Sequence, residues 1–425
     1  MEKNDNKYQA YLEIMRSELL TATGCTEPIS IALAAARARD VLGATPTRVE
    51  IYVSEAILKN AKSVIVPNTN NKKGIKVAAA AGIIFGDPVK ELDVLTDVHA
   101  ESFQMIEKYL DTTKITVQPI ESEYIFDVEL TALHNDDYAR VRIINTHTNF
   151  VLIEKNNEVI FRKDYIGEVR GDAPDKKLLT VKEIVDFANI LDIKTVQSML
   201  DKQIENNSKI ADEGLLNDYG ANIGSVLMKV YGDDIKNTAK AKAAAASDAR
   251  MSGSRLPVTI VSGSGNQGLT ASIPVIEYAK YLKVSDDKLY RALVISNLVS
   301  IHQKTGVGTL SAYCGAVFAG TGAGAGIAYL HDGDFEAIAH TIVNALAIVS
   351  GMICDGAKPS CAAKIAASVD AGILGYMMYR QNQEFLGGDG IIAKGVENTI
   401  ANVNRLARDG MKITDKEIVK IMSQE

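Results

Sequence analysis

Ala312-Tyr-Cys-Gly-Ala-Val-Phe-Ala-Gly-Thr-Gly-Ala-Gly-Ala-Gly-Ile-Ala-Tyr-Leu330 runs 19 residues without a charge, which meets the length rule for a transmembrane helix. Its composition argues otherwise. Five glycines and six alanines present little hydrocarbon to lipid, and His331, Asp332 and Asp334 follow at once. The stretch reads as helix packed tightly inside a soluble protein, where small side chains let neighbouring backbones approach.

The surroundings are helical too. Apolar periodicity predicts helices over Val181–Ile190, Thr195–Glu205, Leu215–Tyr231, Ile235–Arg250, Ala271–Leu282, Asp286–His302, Phe335–Cys354, Ser360–Asn382 and Ile391–Arg408. Residues 171–425 therefore read as one large all-helical domain, beginning near Asp172-Ala173-Pro174-Asp175. Residues 44–170 differ. Strand-like runs occur at Arg48–Ser54, Thr113–Ile120, Tyr124–Ala132, Tyr138–Asn145 and Phe150–Glu154, interrupted by helices at Lys76–Phe85 and Thr96–Tyr109. Alternation such as Phe126-Asp127-Val128-Glu129-Leu130 predicts antiparallel strands with one wet face. Residues 1–43 read as two helices packing with the helical domain, the second spanning Ile29–Val41 with Pro28 in its first turn. The expected fold class is α+β.

At 425 residues the chain is long enough for two domains with substantial cores, and 47% hydrophobic with 23% charged residues is ordinary for a soluble protein. A net charge of −7 with no basic stripe argues against nucleic acid and anionic membrane as partners. The polar start, MEKNDNKYQ, lacks the apolar core of a signal peptide, so the expected compartment is the cytoplasm. Thiols stay reduced there, and cysteines serve packing, metal or catalysis more often than disulfides.

The four cysteines carry the chemistry. Cys314, Cys354 and Cys361 lie within 48 residues, and Cys25 stands alone near the N-terminus. Asp-Gly and Pro between Cys354 and Cys361 predict a loop, with a new helix starting at Pro359 and Ser360. Three thiols so placed can close around an iron–sulfur cluster and leave one iron open. They can equally be small buried apolar residues. Zinc is the weaker metal reading, because His302 and His331 have no regular ligand spacing. Cys25, at a loop-to-helix junction, is expected to tend toward thiolate.

Ser262-Gly-Ser264-Gly-Asn266-Gln267-Gly268 precedes a helix and follows an apolar run. Its backbone N–H groups can hold a carboxylate at a helix start, or simply make a tight turn. The Asn-rich segment Val64-Ile-Val-Pro-Asn68 to Gly74, preceded by Lys59-Asn60, reads as a solvated loop or a site wall. Lys304 reads as either a substrate contact or a surface helix end.

Taken together, Thr23-Gly-Cys25-Thr-Glu-Pro28, Lys59-Asn60, Val66-Pro67, the Ser262–Gly268 loop, Leu310-Ser-Ala-Tyr-Cys314-Gly and Cys354-Asp-Gly-Ala-Lys-Pro-Ser-Cys361 resemble the iron–sulfur L-cysteine desulfidase family. That family is related to the α-chain of iron–sulfur L-serine dehydratases. The resemblance implies a [4Fe–4S] cluster on Cys314, Cys354 and Cys361, with Cys25 near the open iron as proton acceptor or as a fourth ligand that leaves. It implies a lyase that cleaves L-cysteine to sulfide, ammonia and pyruvate, without pyridoxal phosphate. Lys59, Asn60, Ser262, Ser264, Asn266, Gln267 and Lys304 would bind the small amino-acid substrate. A homo-oligomer is expected. The rivals are an L-serine dehydratase and a cluster-free binding or regulatory protein. No cysteine follows Cys361, so the autoinhibitory C-terminal cysteine of some serine dehydratases has no counterpart here.

Overall fold

A computed structural model describes residues 5–96, 102–163, 175–307 and 311–423. The chain opens with α1 (Asn6–Glu18), β1 (Thr21–Thr23) and α2 (Thr26–Leu42). A mixed module follows: β2 (Arg48–Val53), α3 (Glu55–Ala61), α4 (Ile75–Phe85), α5 (Phe103–Thr112), β3 (Lys114–Pro119), β4 (Asp127–His134), β5 (Asp137–Ile144), β6 (Phe150–Lys155) and β7 (Glu158–Arg162). The rest is almost wholly helical: α6 (Val181–Ile190), α7 (Gln197–Leu216), α8 (Ile223–Tyr231), α9 (Ile235–Met251), the short β8 (Pro257–Thr259), α10 (Gly265–Leu282) and α11 (Asp286–Thr305). It ends with α12 (Gly315–Leu330), α13 (Phe335–Val349), α14 (Cys361–Arg380), α15 (Val396–Arg405) and α16 (Lys412–Ser423). The class is α+β.

Six strands form one sheet in the order β3-β2-β4-β5-β6-β7. Its pairings are antiparallel except β2 with β3, which run parallel with Arg48 opposite Lys114. Antiparallel pairing alone was expected. Three helices, α3 to α5, lie between these two strands and supply the long crossover that a parallel pair requires. β7 carried no alternation because every residue in it is exposed.

α2 buries its apolar face, including Ile31, Ala34, Ala35 and Ala38, against the sheet and α4. α1 turns to the helical side instead. Tyr8 and Tyr11 each place their rings 5.2 Å from Phe187 of α6. Between them, β1 pairs with β8, Thr21 opposite Thr259. Cys25 therefore stands at the seam between sheet and helices.

α12 occupies the centre of the helical part, packed by α10, α11, α13 and α14. Its composition follows from those neighbours. A Cβ on Gly324 would sit 2.6 Å from the Gly372 carbonyl oxygen of α14, and one on Gly320 would sit 2.4 Å from the Ser368 carbonyl oxygen. The other face touches α11, where Gly322 approaches Ser296 and Ser300. A helix apolar all round is a core helix, and at 16 residues this one is short for a bilayer. Among the described residues α14 alone is long and apolar enough to cross a membrane, and 56% of that window is buried against protein.

Some boundaries differ from the expectations. α10 begins at Gly265, not Ala271, because the Ser264 hydroxyl accepts from the Gln267 amide and caps the helix there. α7 continues to Leu216, and α8 starts only after Gly220 and Asn222, both with positive φ. α13 stops at Val349, which leaves Cys354 in a loop. The domain boundary near 170 and Leu310 of the cysteine motif lie outside the described residues, whereas Thr96, where a helix was expected to start, is in a turn and α5 begins at Phe103.

Candidate active site

Backbone pairing sets Cys314 beside Cys354. Tyr313 and Ile353 form an isolated antiparallel bridge. Around it the Cys314 amide donates to the Met352 carbonyl at 3.0 Å, and the Cys354 amide donates to the Ala312 carbonyl at 2.6 Å. Cys361 is the first residue of α14, and its thiol donates to the Gly356 carbonyl at 3.6 Å. Gly356 has φ +97°, and a Cβ there would lie 2.5 Å from the Lys59 carbonyl oxygen. Only glycine lets the loop fold back this closely.

Cys25 comes from the other side of the seam. It is the N-cap of α2, with extended backbone (φ −84°, ψ 131°). Pro67 of the Asn-rich loop packs on Gly24, and the Thr26 hydroxyl donates to the Gly263 carbonyl at 3.1 Å. These contacts tie the start of α2 to the turn before α10.

All four thiols line one cavity of about 110 Å³, together with Asn60, Ser262, Ser264, Asn266, Gln267 and Lys304. Four helix N-termini meet there: Cys25 caps α2, Ser264 caps α10, Cys314 caps α12 and Cys361 begins α14. Each contributes partial positive charge, so the helix starts favour anions in the cavity. A larger cavity of about 390 Å³ adjoins it, sharing His147, Ser262, Gly263 and Lys304. Lys59 is the exception. It does not line the cavity: its buried ammonium donates to the Cys354 carbonyl at 3.2 Å and pairs with Asp415 at 2.5 Å. It pins the cysteine loop to α16.

The electrostatics correct one expectation. The helix start is present, but burial holds the Cys25 thiol well above its ordinary range, and the nearby Glu27 carboxylate adds to this against the opposing pull of Arg250. Its Sγ donates to Glu27 Oε2 at 3.1 Å. Burial and Glu27 thus favour the protonated thiol at rest. Burial also raises Cys314 and Cys361, with the neighbouring Cys354 contributing to both. Lys304 is no surface helix end: it is buried, and burial lowers its ammonium to about 8 against the pull of Cys354 and Cys314.

Glu27, Arg250 and His147 also line the cavity and were not singled out from the sequence. Glu27 resembles any first-turn acid. Arg250 ends the alanine-rich α9, where no motif marks it. His147 sits in the turn between β5 and β6, in another part of the fold. Among the described residues no three His, Cys, Asp or Glu side chains gather around a point that one metal ion could occupy. A single zinc is therefore not what this geometry serves. A cuboidal cluster makes a different demand, one thiolate on each of several separate irons.

A family profile described as serine dehydratase alpha chain matches residues 89–420, which include Cys314, Cys354 and Cys361 but not Cys25. A UPF0597 protein of Desulfitobacterium hafniense is 58% identical over 99% of this chain and 98% of its own length. One from Lachnoclostridium phytofermentans is 50% identical over 98% and 99%, and one from Treponema denticola is 42% identical over the whole of both. This chain, with those relatives, belongs to the serine dehydratase alpha-chain family.

Proposed function

We propose that the protein is a carbon–sulfur lyase, an L-cysteine desulfidase that eliminates sulfide from L-cysteine and yields pyruvate and ammonia. The observation that carries this reading is the convergence of all four cysteines on one cavity rimmed by helix N-termini. Cys314, Cys354 and Cys361 would hold a [4Fe–4S] cluster, and the donor set fits. Burial makes the Cys314 and Cys361 thiols resist ionisation alone, and metal binding displaces such protons and stabilises the thiolates. Lys304 and the helix starts supply compensating positive charge. When bound, the cluster would supply a Lewis-acidic iron, soft enough to suit a departing thiolate.

The chain's own residues do the rest. Cys25 takes the Cα proton, after passing its own proton to Glu27 at 3.1 Å. The thiolate so formed is stabilised by the α2 N-terminus and by Arg250, which favours the charged form. Ser264, Asn266 and Gln267, in the capped first turn of α10, line the space where the substrate would lie. Departure of sulfide leaves an enamine, which tautomerises and hydrolyses to pyruvate and ammonia. This chemistry suits the reducing cytoplasm, where thiols and sulfide persist.

The test is product formation by protein reconstituted anaerobically with iron and sulfide. We expect pyruvate and sulfide from L-cysteine with kcat/KM exceeding that for pyruvate from L-serine. The serine dehydratase profile favours L-serine as the second reading, and the reverse ratio would establish it. A protein that retains no iron and processes neither amino acid is a binding protein.

A further inference from the structure

Arg250 is an incompletely satisfied charge in the protein's interior. It is 3% exposed. Its guanidinium is always charged, and among the described residues it has no carboxylate at ion-pairing distance. One nitrogen donates to the Asn266 side-chain oxygen at 3.1 Å, while the buried Nε has no hydrogen-bond partner. A buried, unpaired charge is costly, so the fold keeps this one for a partner that arrives later.

The position of Arg250 says which partner. The side chain crosses the first turn of α10, where a Cβ on Gly265 would lie 2.3 Å from its Nε. It thus reaches the same cavity as the four thiols, beside the N-terminus of α10. Glu27 also lines that space, but its Oε2 accepts from Cys25. Gln267 offers a second buried group without a partner, the acceptor Oε1. An incompletely paired guanidinium and an amide with an unpaired acceptor belong to two residues that line one small cavity, and together they complement a zwitterion: carboxylate to the first, ammonium to the second.

We propose that Arg250 anchors the α-carboxylate of the substrate and restricts the site to amino acids with a free carboxylate. The assignment rests on the elimination reading for the identity of the substrate, though not for the presence of a carboxylate. A planar fork suits a carboxylate bidentately, and a lysine in its place keeps only the charge.

The experiment measures binding by calorimetry on the anaerobically reconstituted protein, with L-alanine and L-alaninamide as probes. Neither carries a leaving group, and only the first has a carboxylate. Wild type is expected to bind L-alanine roughly 10–100-fold more tightly than L-alaninamide, the range for one charge-assisted contact. Arg250→Met should lose that preference, and Arg250→Lys should keep part of it. With L-cysteine, Arg250→Met should raise KM and, because Arg250 also favours the Cys25 thiolate, lower kcat. Failure of L-alanine to bind wild type, or equal binding of the two probes by wild type, would overturn the assignment. So would a folded Arg250→Met or Arg250→Lys protein that prefers L-alanine as strongly as wild type. Carboxylate selectivity that depends on Arg250, in a protein that leaves L-cysteine intact, upholds this assignment and sinks only the elimination reading.

Discussion

The Cys25 sulfur lies 3.1 Å from Glu27 Oε2, close enough for the carboxylate to keep the proton on the thiol at rest and to receive it during a reaction. Two residues apart at the start of α2, they form a dyad in which the acid raises the thiol's pKa and also offers its proton a destination. The electrostatics of the first turn are therefore double-edged: the helix N-terminus favours an anion, and Glu27 already supplies one.

Cys25→Ala should reduce turnover of L-cysteine by about 10²–10⁴-fold, the usual span for a general base. Iron and acid-labile sulfide should remain at wild-type levels. Iron loss as severe as that of Cys354→Ala would make Cys25 a cluster ligand instead.

Glu27→Gln removes a cause of the raised thiol pKa, so the Cys25 pKa must fall. More thiolate at a given pH means faster alkylation. Iodoacetamide labelling of Cys25 in metal-free protein at mildly alkaline pH, followed by peptide mass spectrometry, should be faster in Glu27→Gln than in wild type. Turnover should be slower. Unchanged labelling would remove Glu27 from the account.

Asp415→Ala leaves the buried Lys59 ammonium without its partner and loosens the tie between α16 and the Cys354 loop. Breaking such a pair should cost roughly 3 kcal/mol in chemical denaturation. The iron-to-protein ratio after reconstitution should fall as well, because the Lys59 ammonium that holds the Cys354 carbonyl loses the carboxylate that fixes it.

Gly324→Ala would force a methyl group to within 2.6 Å of the Gly372 carbonyl oxygen, so α12 and α14 must separate. Overpacking of this kind costs roughly 1–3 kcal/mol and lowers Tm. Gly351→Ala, which meets nothing within 4 Å, should be close to neutral and serves as the control.

Asp248 gives stability a pH dependence. Burial lifts its carboxyl from 3.8 to about 6, although backbone N–H groups at the start of α8 favour the anion. The folded state therefore binds a proton more tightly than the unfolded chain, and stability falls as pH rises from about 4 through 6. The shift corresponds to at most about 3 kcal/mol. Asp248→Asn, followed by denaturant unfolding across that range, should flatten the slope and be more stable than wild type at pH 7.

Much of the helical architecture could be read locally. Ser285 followed by Asp286 and Asp287 announces α11, and Pro28 marks the first turn of α2. The start of α10 was missed because Gly265 and Gly268 resemble loop residues, while the Ser264 cap and close packing on Thr259 make them helical. β7 escaped because an exposed edge strand needs no alternation, and α16 is an exposed helix with few buried positions.

The site divides along the same line. Residue types and spacing marked the four cysteines, the Ser262–Gly268 segment and the loop before Cys361, because thiols, glycines and a proline carry their chemistry wherever the chain goes. Charge states and directions were another matter. Burial by distant residues holds the Cys25 thiol up, Lys59 stays out of the cavity lining because Asp415 and the Cys354 carbonyl receive it, and Arg250 stands out because, among the described residues, no carboxylate lies at ion-pairing distance from it. Desolvation and pairing depend on what surrounds a group in three dimensions. Composition and periodicity were enough to place the Ala312–Leu330 stretch in a protein core, whereas only the packing of α12 between α11 and α14 brought Cys314, at its N-terminus, to face Cys25 from the far end of the chain.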